Sequence, residues 1–330
     1  MISRRAVIAV LPFGALEGAG PVPVVIDTDS GTDDLLAIAF LLSRRDVRIE
    51  AIVTVNGLAH ARKGAENILR LLALAGRTDI PVYAGRDKPE IGGAEFPLEW
   101  RREADELAGV PLPAAGRRPE RRDGVDFLIE RFSSGQPLRI LALGPLTNLA
   151  AALGAAPGAA RRVNEIVIMG GALGVPGNID AGGFFKTDNT TAEWNLFADP
   201  RAARRVFSSA LKLRLVPLDA TNRVPIGADF VNDFNAMRLT PLGKFVSAIL
   251  GLARKSIDGG YYFAWDPLAA AALVEPRVVK FRPLGVEIRI DRPEEGRTVE
   301  IRDAYPNVEV ATSADRRRFQ RVFFAAFAVV

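Results

Sequence analysis

Residues 22–36 read VPVVIDTDSGTDDLL, and this stretch decides the fold of the chain. The run Val22–Ile26 is short, apolar and rich in β-branched residues, which is typical of a strand buried on both faces of a parallel sheet. A turn over Ser30–Thr32 follows, and an apolar helix is predicted to begin near Asp33. A buried strand that leads directly into a helix indicates an α/β protein.

Four aspartates, Asp27, Asp29, Asp33 and Asp34, lie at or just after the end of this predicted strand. Open α/β sheets place their functional sites at the carboxyl ends of strands, so these side chains are candidates for a site. Carboxylates this close repel one another unless a cation neutralises them, and an all-oxygen set suits Ca²⁺ or Mg²⁺ better than zinc. The alternative is an acidic cap on the helix N-terminus, for which one or two aspartates would suffice. Four aspartates at this spacing favour a metal or catalytic site.

The rest of the chain alternates short apolar strands with helices, apart from two irregular segments at 92–122 and 172–190. This alternation predicts one α/β domain over residues 21–330, with an open, mostly parallel sheet flanked by helices. The short consecutive strands near the C-terminus are expected to be antiparallel. The later predicted strands cover residues 48–55, 81–84, 138–143, 165–169, 212–217, 286–290, 298–301 and 308–311. The predicted helices cover residues 33–43, 61–75, 146–153, 200–208, 240–253, 265–274 and the stretch from 314 onward.

The composition excludes several classes of protein. The 330 residues are 48% hydrophobic and 25% charged, as in a globular protein with a sizeable core. The net charge is +4, but the arginines occur as pairs spread along the chain, which predicts a solvated surface and no nucleic-acid partner. The absence of cysteine excludes disulfides, zinc–thiolate sites and thiol nucleophiles.

The N-terminal residues 1–20 read MISRRAVIAVLPFGALEGAG and need a separate interpretation. Two arginines followed by an apolar run resemble a short twin-arginine export signal, which would direct the protein to the periplasm. The apolar run is interrupted by Pro12 and Gly14 and is too short to span a bilayer, so no stable membrane association is expected. The alternative is an N-terminal extension of a cytoplasmic protein, and the sequence leaves both interpretations open.

Polar and aromatic residues elsewhere supply further candidates. Asparagine and glutamate at close spacing suit a polyol, because paired hydroxyls need both donors and acceptors, although each residue alone is more typical of a turn. Trp100, in the first irregular segment, is a candidate platform for a flat ring, whereas Trp265 at a helix start is more typical of a core residue. His60 is the single histidine, so a Ser-His-Asp scheme is not expected. The polar candidates are Gly177–Asn178, Glu193–Asn195, Asp219 and Asp266.

The stretch VVIDTDSGTDD at 24–34 closely resembles the N-terminal aspartate motif of the nucleoside hydrolases. The resemblance continues, in the family's order, through essentially the whole chain from Val22 onward. PLEWR at 97–101 and GGYYFAWDPLAAA at 259–271 are most similar to the purine-specific (inosine-adenosine-guanosine-preferring) branch, since other members usually have a histidine where Trp265 stands. The other matching motifs are LALGPLTNLA (141–150), IVIMGGALGVPGN (166–178), TAEWNLFADPRAA (191–203) and LDATN (218–222).

This resemblance implies a Ca²⁺-dependent enzyme that hydrolyses the N-glycosidic bond of purine ribonucleosides to ribose and free base. It implies that Asp29 accepts the proton of the attacking water, that Asp33 binds the ribose 2′-OH and that Met169 packs beneath the sugar. Negative charge around the ribose would stabilise the oxocarbenium-like transition state. The implied Ca²⁺ ligands are Asp29, Asp34, the Leu143 carbonyl and Asp266, and the implied ligands of the other ribose hydroxyls are Asn178, Glu193 and Asn195.

The purine branch also implies how the base leaves. Trp100 and Trp265 would sandwich the purine and raise the basicity of its N7, so that solvent protonates it. A homodimer is implied as well. One departure from the family concerns the turn after the second strand, where many members read Gly-Asn and this chain reads Asn56-Gly57. Which residue replaces the usual asparagine is open.

Three alternative functions remain. A broad-specificity ribonucleoside hydrolase would keep the same acidic centre. A haloacid-dehalogenase-type phosphatase is suggested by DTDSGT at 27–32, with Asp27 as nucleophile, but the chain has no convincing late acid pair at a strand end. A non-catalytic nucleoside- or sugar-binding protein would retain Trp100, Asn178 and Asn195 and would need neither Asp29 nor calcium.

Overall fold

The computed structural model describes residues 22–134, 136–158, 163–179 and 185–329. The predicted N-terminal segment 1–20 lies outside the described residues, so its role in export and the division of the chain near residue 21 stay predictions. Within the described ranges the strands are β1 (Val22–Thr28), β2 (Val47–Thr54), β3 (Val82–Ala84), β4 (Arg139–Ala142), β5 (Glu165–Met169), β6 (Leu213–Val216), β7 (Val279–Leu284), β8 (Val286–Ile288), β9 (Thr298–Glu300) and β10 (Val308–Ala314).

Eight of these strands form one sheet in the order β3-β2-β1-β4-β5-β6-β10-β7. All neighbours in it pair in parallel except β7, which runs antiparallel to β10 at the edge. Strands β8 and β9 form a separate antiparallel pair. The prediction of an open, mostly parallel sheet with short antiparallel strands near the C-terminus is therefore confirmed.

Helices cover this sheet, and each predicted helix is present with small differences at its ends. Among the described residues, no helix is both long and apolar enough to cross a membrane. The helices are α1 (Thr32–Leu42), α2 (Ala61–Leu74), α3 (Leu98–Asp105), α4 (Gly124–Ser133), α5 (Thr147–Ala155), α6 (Trp194–Ala198), α7 (Pro200–Phe207), α8 (Leu218–Thr221), α9 (Ala228–Asn235), α10 (Pro241–Leu252), α11 (Arg254–Asp258), α12 (Trp265–Val274) and α13 (Arg316–Phe327).

Strand β1 lies near the middle of the sheet, between β2 and β4. Its residues Val24, Val25 and Ile26 are completely buried. Because side chains of a strand alternate between the two faces, an uninterrupted apolar run requires burial on both faces. The apolar run in β1 meets this requirement. Because β1 lies near the middle of the sheet, its carboxyl end lies near the middle of the edge formed by the carboxyl ends of the strands.

One expectation for the irregular segment 92–122 was wrong, because helix α3 (Leu98–Asp105) forms within it. Only Arg101 and Ala104 of this helix are buried, so its sequence carries no apolar periodicity that would have indicated a helix. Strand β7 was also missed. Most of its side chains are at least partly exposed and it contains Pro283, which a sheet accepts on an edge strand.

Candidate active site

The four aspartates of the first motif lie around the carboxyl end of β1 and the first turn of α1. Asp29 Oδ2 accepts a hydrogen bond of 2.8 Å from the Leu58 N–H. Asp34 Oδ2 accepts one of 3.0 Å from the Gly31 N–H, and its Oδ1 accepts from the Thr28 hydroxyl. Asp34 thus closes the N-terminus of α1, as the helix-cap alternative requires, while its carboxylate also faces the other acids.

A further carboxylate, that of Asp266, reaches the cluster from the first turn of α12. Oxygen atoms of Asp33, Asp34 and Asp266 all lie within 4.8 Å of one another. Asp266 is 1% exposed, and its Oδ1 has no hydrogen-bond partner among the described residues. A buried carboxylate oxygen without a partner is costly, so this cluster calls for a bound cation or a proton.

Burial shifts the protonation of all these groups in the same direction. Burial raises the pKa of Asp29, and burial together with the neighbouring carboxylates raises the pKa of Asp34 and of Asp266 well above the ordinary value. Burial and then the charge of Asp29 raise the pKa of Asp33 to about 7. Crowded carboxylates with an unsatisfied oxygen form a donor set that fits a hard divalent cation.

Asp27 takes a different position, behind this cluster. Its Oδ1 accepts a hydrogen bond of 2.8 Å from the Asn148 amide, which also donates to the Thr54 carbonyl at 3.1 Å. Burial raises the pKa of Asp27 to about 7. Asp27 does not line the cavity described next.

A cavity of about 610 Å³ opens above the acidic cluster. Every residue to which the family resemblance assigns metal or substrate binding lines it, although the residues come from seven separate stretches of the chain. They are Asp29, Asp33, Asp34, Trp100, Leu143, Met169, Asn178, Glu193, Asn195, Trp265 and Asp266. We call the side formed by Asp29, Asp33, Asp34 and Asp266 the acidic end.

The amide and carboxylate side chains of the cavity are held by backbone groups. Glu193 caps the N-terminus of α6 and accepts from the N–H groups of Asn195 and Gly171, each at 3.0 Å. Burial raises the pKa of Glu193 to about 7. The Asn195 amide donates to the Leu143 carbonyl at 2.9 Å, and Asn178 Oδ1 accepts from the Trp194 N–H at 3.1 Å. These fixed positions provide donors and acceptors for a ligand with several hydroxyls.

Aromatic side chains form another part of the cavity lining. Trp100 stands on α3 and packs edge-on against Trp194, with ring centroids 5.7 Å apart. Trp265 begins α12 and packs edge-on against Tyr262 at 5.4 Å. Both Trp100 and Trp265 are only partly buried, so each presents apolar surface to the cavity. We call this side, formed by Phe96, Trp100, Trp194, Tyr262 and Trp265, the aromatic end.

Some lining residues were not foreseen, and one candidate does not reach the site. Leu58, Phe96, Trp194 and Tyr262 also line the cavity. Trp194 and Tyr262 lie within the motifs 191–203 and 259–271, whereas Leu58 and Phe96 lie in no motif that the sequence offered. Asp219 is outside the cavity: its carboxylate accepts from the backbone N–H groups of residues 173 and 174 at 2.9 and 2.7 Å, so it fixes a loop.

The structure shows where the residues of the Asn56-Gly57 turn lie. The Asn56 side chain turns away and accepts a hydrogen bond from Arg101, while Gly57 lies against Asp29. Leu58 is the residue of this turn that lines the cavity.

Buried carboxylates at the carboxyl edge of a parallel sheet, beside an aromatic wall, define an α/β enzyme with a cation-binding centre. The chain belongs to the inosine-uridine preferring nucleoside hydrolase family, whose sequence profile matches residues 24–321. It is accordingly an N-glycosyl hydrolase of ribonucleosides, in a family that is generally metal-dependent.

Known proteins similar to this chain differ in the base that they prefer. The pyrimidine-specific ribonucleoside hydrolase RihA of Enterobacter sp. is 31% identical, over 90% of this chain and 95% of its own. A plant nucleoside hydrolase structure superposes with a TM-score of 0.81 at 29% identity, covering 93% of this chain and 98% of that one. The purine-preferring ribonucleoside hydrolase of Gardnerella vaginalis gives a TM-score of 0.81 at 26% identity, over 92% and 97%.

Proposed function

We propose that this protein hydrolyses purine ribonucleosides with the help of Ca²⁺, releasing ribose and the free base. The observation that carries the purine preference is the pair Trp100 and Trp265, which stand on two different helices and line one cavity with the acidic cluster. Two indole rings offer enough flat apolar surface for a bicyclic base. The purine-preferring relative from Gardnerella vaginalis supports this assignment.

The acidic end would supply the hydrolytic step. Asp29 is the proposed general base, because its carboxylate lines the cavity and its orientation is fixed by the Leu58 N–H. Asp29, Asp34, Asp266 and the carbonyl oxygen of Leu143 would hold Ca²⁺. A bound divalent cation lowers the pKa of water and stabilises negative charge beside it.

One contact leaves the assignment of ligands to be tested. Asp33, which we assign to the ribose 2′-OH, has a carboxylate oxygen close to those of Asp34 and Asp266. This position makes Asp33 an alternative to Asp29 as a ligand of the cation. The two roles predict different effects on calcium affinity.

The remaining polar groups would orient the sugar. Asn178, Glu193 and Asn195 would bind its other hydroxyls, and Met169 would pack beneath the ring. Glu193 carries negative charge above a pH of about 7, which would favour the positive charge that develops on the ribose in an oxocarbenium-like transition state. At the aromatic end, stacking against Trp100 and Trp265 would raise the basicity of the purine N7, so that solvent protonates the leaving base.

A pyrimidine or broad preference is the second candidate, and the name of the RihA relative favours it. The homodimer implied by the family resemblance stays a prediction, as does export through residues 1–20. A single experiment tests the proposed function: release of free base from inosine, adenosine, guanosine, uridine and cytidine, each with Ca²⁺ and with a chelator. Calcium-dependent release confined to the purines is expected. Release from uridine and cytidine alone would overturn the purine assignment, and release unaffected by the chelator would overturn the calcium assignment.

A further inference from the structure

Arg101 is a buried arginine whose surroundings do not neutralise it fully. Its side chain is 4% exposed, and Nη2 donates to Asn56 Oδ1 at 2.6 Å. The nearest carboxylate is that of Glu95, 3.7 Å from Nη1 and itself 75% exposed. The Nε atom has no partner among the described residues. Burying a guanidinium in this way costs stability, which indicates that the arginine serves a purpose other than packing.

The partner of Arg101 begins the turn that touches the proposed general base. Asn56, Gly57 and Leu58 follow β2, and the Leu58 N–H donates to Asp29 Oδ2. A Cβ atom on Gly57 would lie 2.1 Å from the same oxygen, so the backbone of the turn is in direct contact with the carboxylate. A shift of this turn would therefore move the carboxylate of Asp29.

Arg101 also belongs to α3, which carries Trp100 at the aromatic end. The C-terminal end of α3 is held separately, because the Asn67 amide donates to the carbonyls of Ala104 and Asp105 at 3.2 and 3.0 Å. The Asp105 carboxylate in turn accepts from the His60 backbone N–H at 2.9 Å. Arg101 links the middle of the helix to the turn beside Asp29.

We propose that Arg101 is a positioning residue that couples the two ends of the cavity. It sets the distance between the helix that carries Trp100 and the turn that orients Asp29. This inference rests on the proposed function, in which Asp29 is the general base and Trp100 stacks on the base. A planar guanidinium suits the task because its donors have a fixed geometry, which a lysine does not provide.

The test compares inosine with p-nitrophenyl β-D-ribofuranoside, whose leaving group needs neither stacking nor protonation. Arg101→Met and Asn56→Ala are each expected to lower kcat about tenfold or more on both substrates, because a 1 Å displacement of a catalytic group has effects of this size or larger. The double variant should be no slower than Arg101→Met alone. Arg101→Lys should recover only part of the loss. Trp100→Ala, in contrast, should slow inosine alone.

Arg131→Met is the matched control. Arg131 is 11% exposed and bonds Glu50 and the Pro137 carbonyl, but it does not line the cavity. The Arg131→Met substitution should lower the melting temperature of the protein without changing kcat. The proposal is overturned if Arg101→Met behaves in the same way, or if its loss of kcat adds fully to that of Asn56→Ala. Should Arg101→Met fail to fold, Arg101→Lys and Asn56→Ala decide by the same criteria. Wild-type enzyme that cleaves the p-nitrophenyl riboside but no purine nucleoside would refute the proposed function and leave this test intact.

Discussion

The acidic and aromatic ends of the cavity are built in different ways. The carboxylates of Asp29 and Asp34 lie at the end of a central strand and the start of α1, and backbone N–H groups fix both of them. Trp100 stands on an eight-residue helix that follows a stretch without regular structure, and its ring is partly exposed. We infer that the rigid end carries the hydrolysis shared by the family, and that the more exposed end selects the base.

The largest expected effect falls on the acidic end. Asp29→Asn should lower kcat about 10³-fold, because loss of a general base typically costs between ~10² and ~10⁴ in rate. Binding should survive, since the amide keeps the shape of the side chain and can still accept from the Leu58 N–H. Single-turnover release of hypoxanthine and calorimetric titration with inosine measure the two quantities. Turnover within tenfold of the wild type would remove Asp29 from the catalytic role.

At the aromatic end, Trp100→Ala should lower kcat/KM for inosine by about 5- to 150-fold, since stacking of a base on an aromatic ring contributes roughly 1–3 kcal/mol. Tyr305→Ala, which truncates an aromatic residue that is 93% exposed, is the control and should leave the rate unchanged. An unaltered inosine rate in folded Trp100→Ala would show that this end does not select the base.

Calcium binding should be stronger at higher pH, because the carboxyl groups of the acidic end must lose their protons to bind the cation. The native pKa of Asp33 is about 7 and those of Asp34 and Asp266 are raised, against 3.8 for an ordinary aspartate. Without a cation, the contribution of these neutral carboxyl groups to the free energy of unfolding is fully present below about pH 4. This contribution is lost as the pH rises through 7. Protons and Ca²⁺ compete for the same oxygens, so the gain in melting temperature on adding Ca²⁺ should be larger at pH 8 than at pH 5. An equal gain at both pH values would contradict this assignment.

Melting temperatures measured with and without Ca²⁺ also test whether Asp33 is a ligand of the cation. Asp34→Ala should abolish the calcium-induced gain, which amounts to about 2.7 kcal/mol when Ca²⁺ is present at 100 times its Kd. Asp33→Ala should retain most of it and should instead raise KM, if this carboxylate binds the ribose 2′-OH. Loss of the gain in Asp33→Ala would make Asp33 a ligand of the cation.

The smallest effect is expected outside both ends. Asp219→Ala removes the carboxylate that accepts from the N–H groups of residues 173 and 174, so it should cost about 1 kcal/mol of stability. Its kcat/KM should stay within threefold of the wild type, as measured on inosine. A large loss of activity at unchanged stability would return Asp219 to the site.

The sequence predicted the acidic end better than the aromatic end, and the reason is local order. Strand β1, the turn and the first turn of α1 are contiguous, so the position of Asp29 and Asp34 follows from a single buried strand and the helix after it. The placement of Asp266 needed the family resemblance, because α12 lies more than 200 residues later in the chain. Local patterns contain no information about such tertiary contacts.

The aromatic end was harder because its helix has no apolar face. Helix α3 buries only Arg101 and Ala104, and an arginine does not contribute to hydrophobic periodicity. Trp194 was named only as part of the polar stretch Glu193–Asn195, although its ring packs against Phe96 with ring centroids 4.6 Å apart. Leu58 carried no signal, because nothing in an isolated leucine after a turn indicates a cavity wall.

One competition experiment tests most directly whether the aromatic end selects a purine base. Equal concentrations of inosine and uridine are incubated with the calcium-loaded protein, and hypoxanthine and uracil are separated and measured over time. The ratio of the two initial rates equals the ratio of the kcat/KM values. Release of hypoxanthine at least about ten times faster is expected, because the larger ring gains more from stacking. Release of uracil at an equal or higher rate would contradict the account and place the chain with pyrimidine-specific relatives.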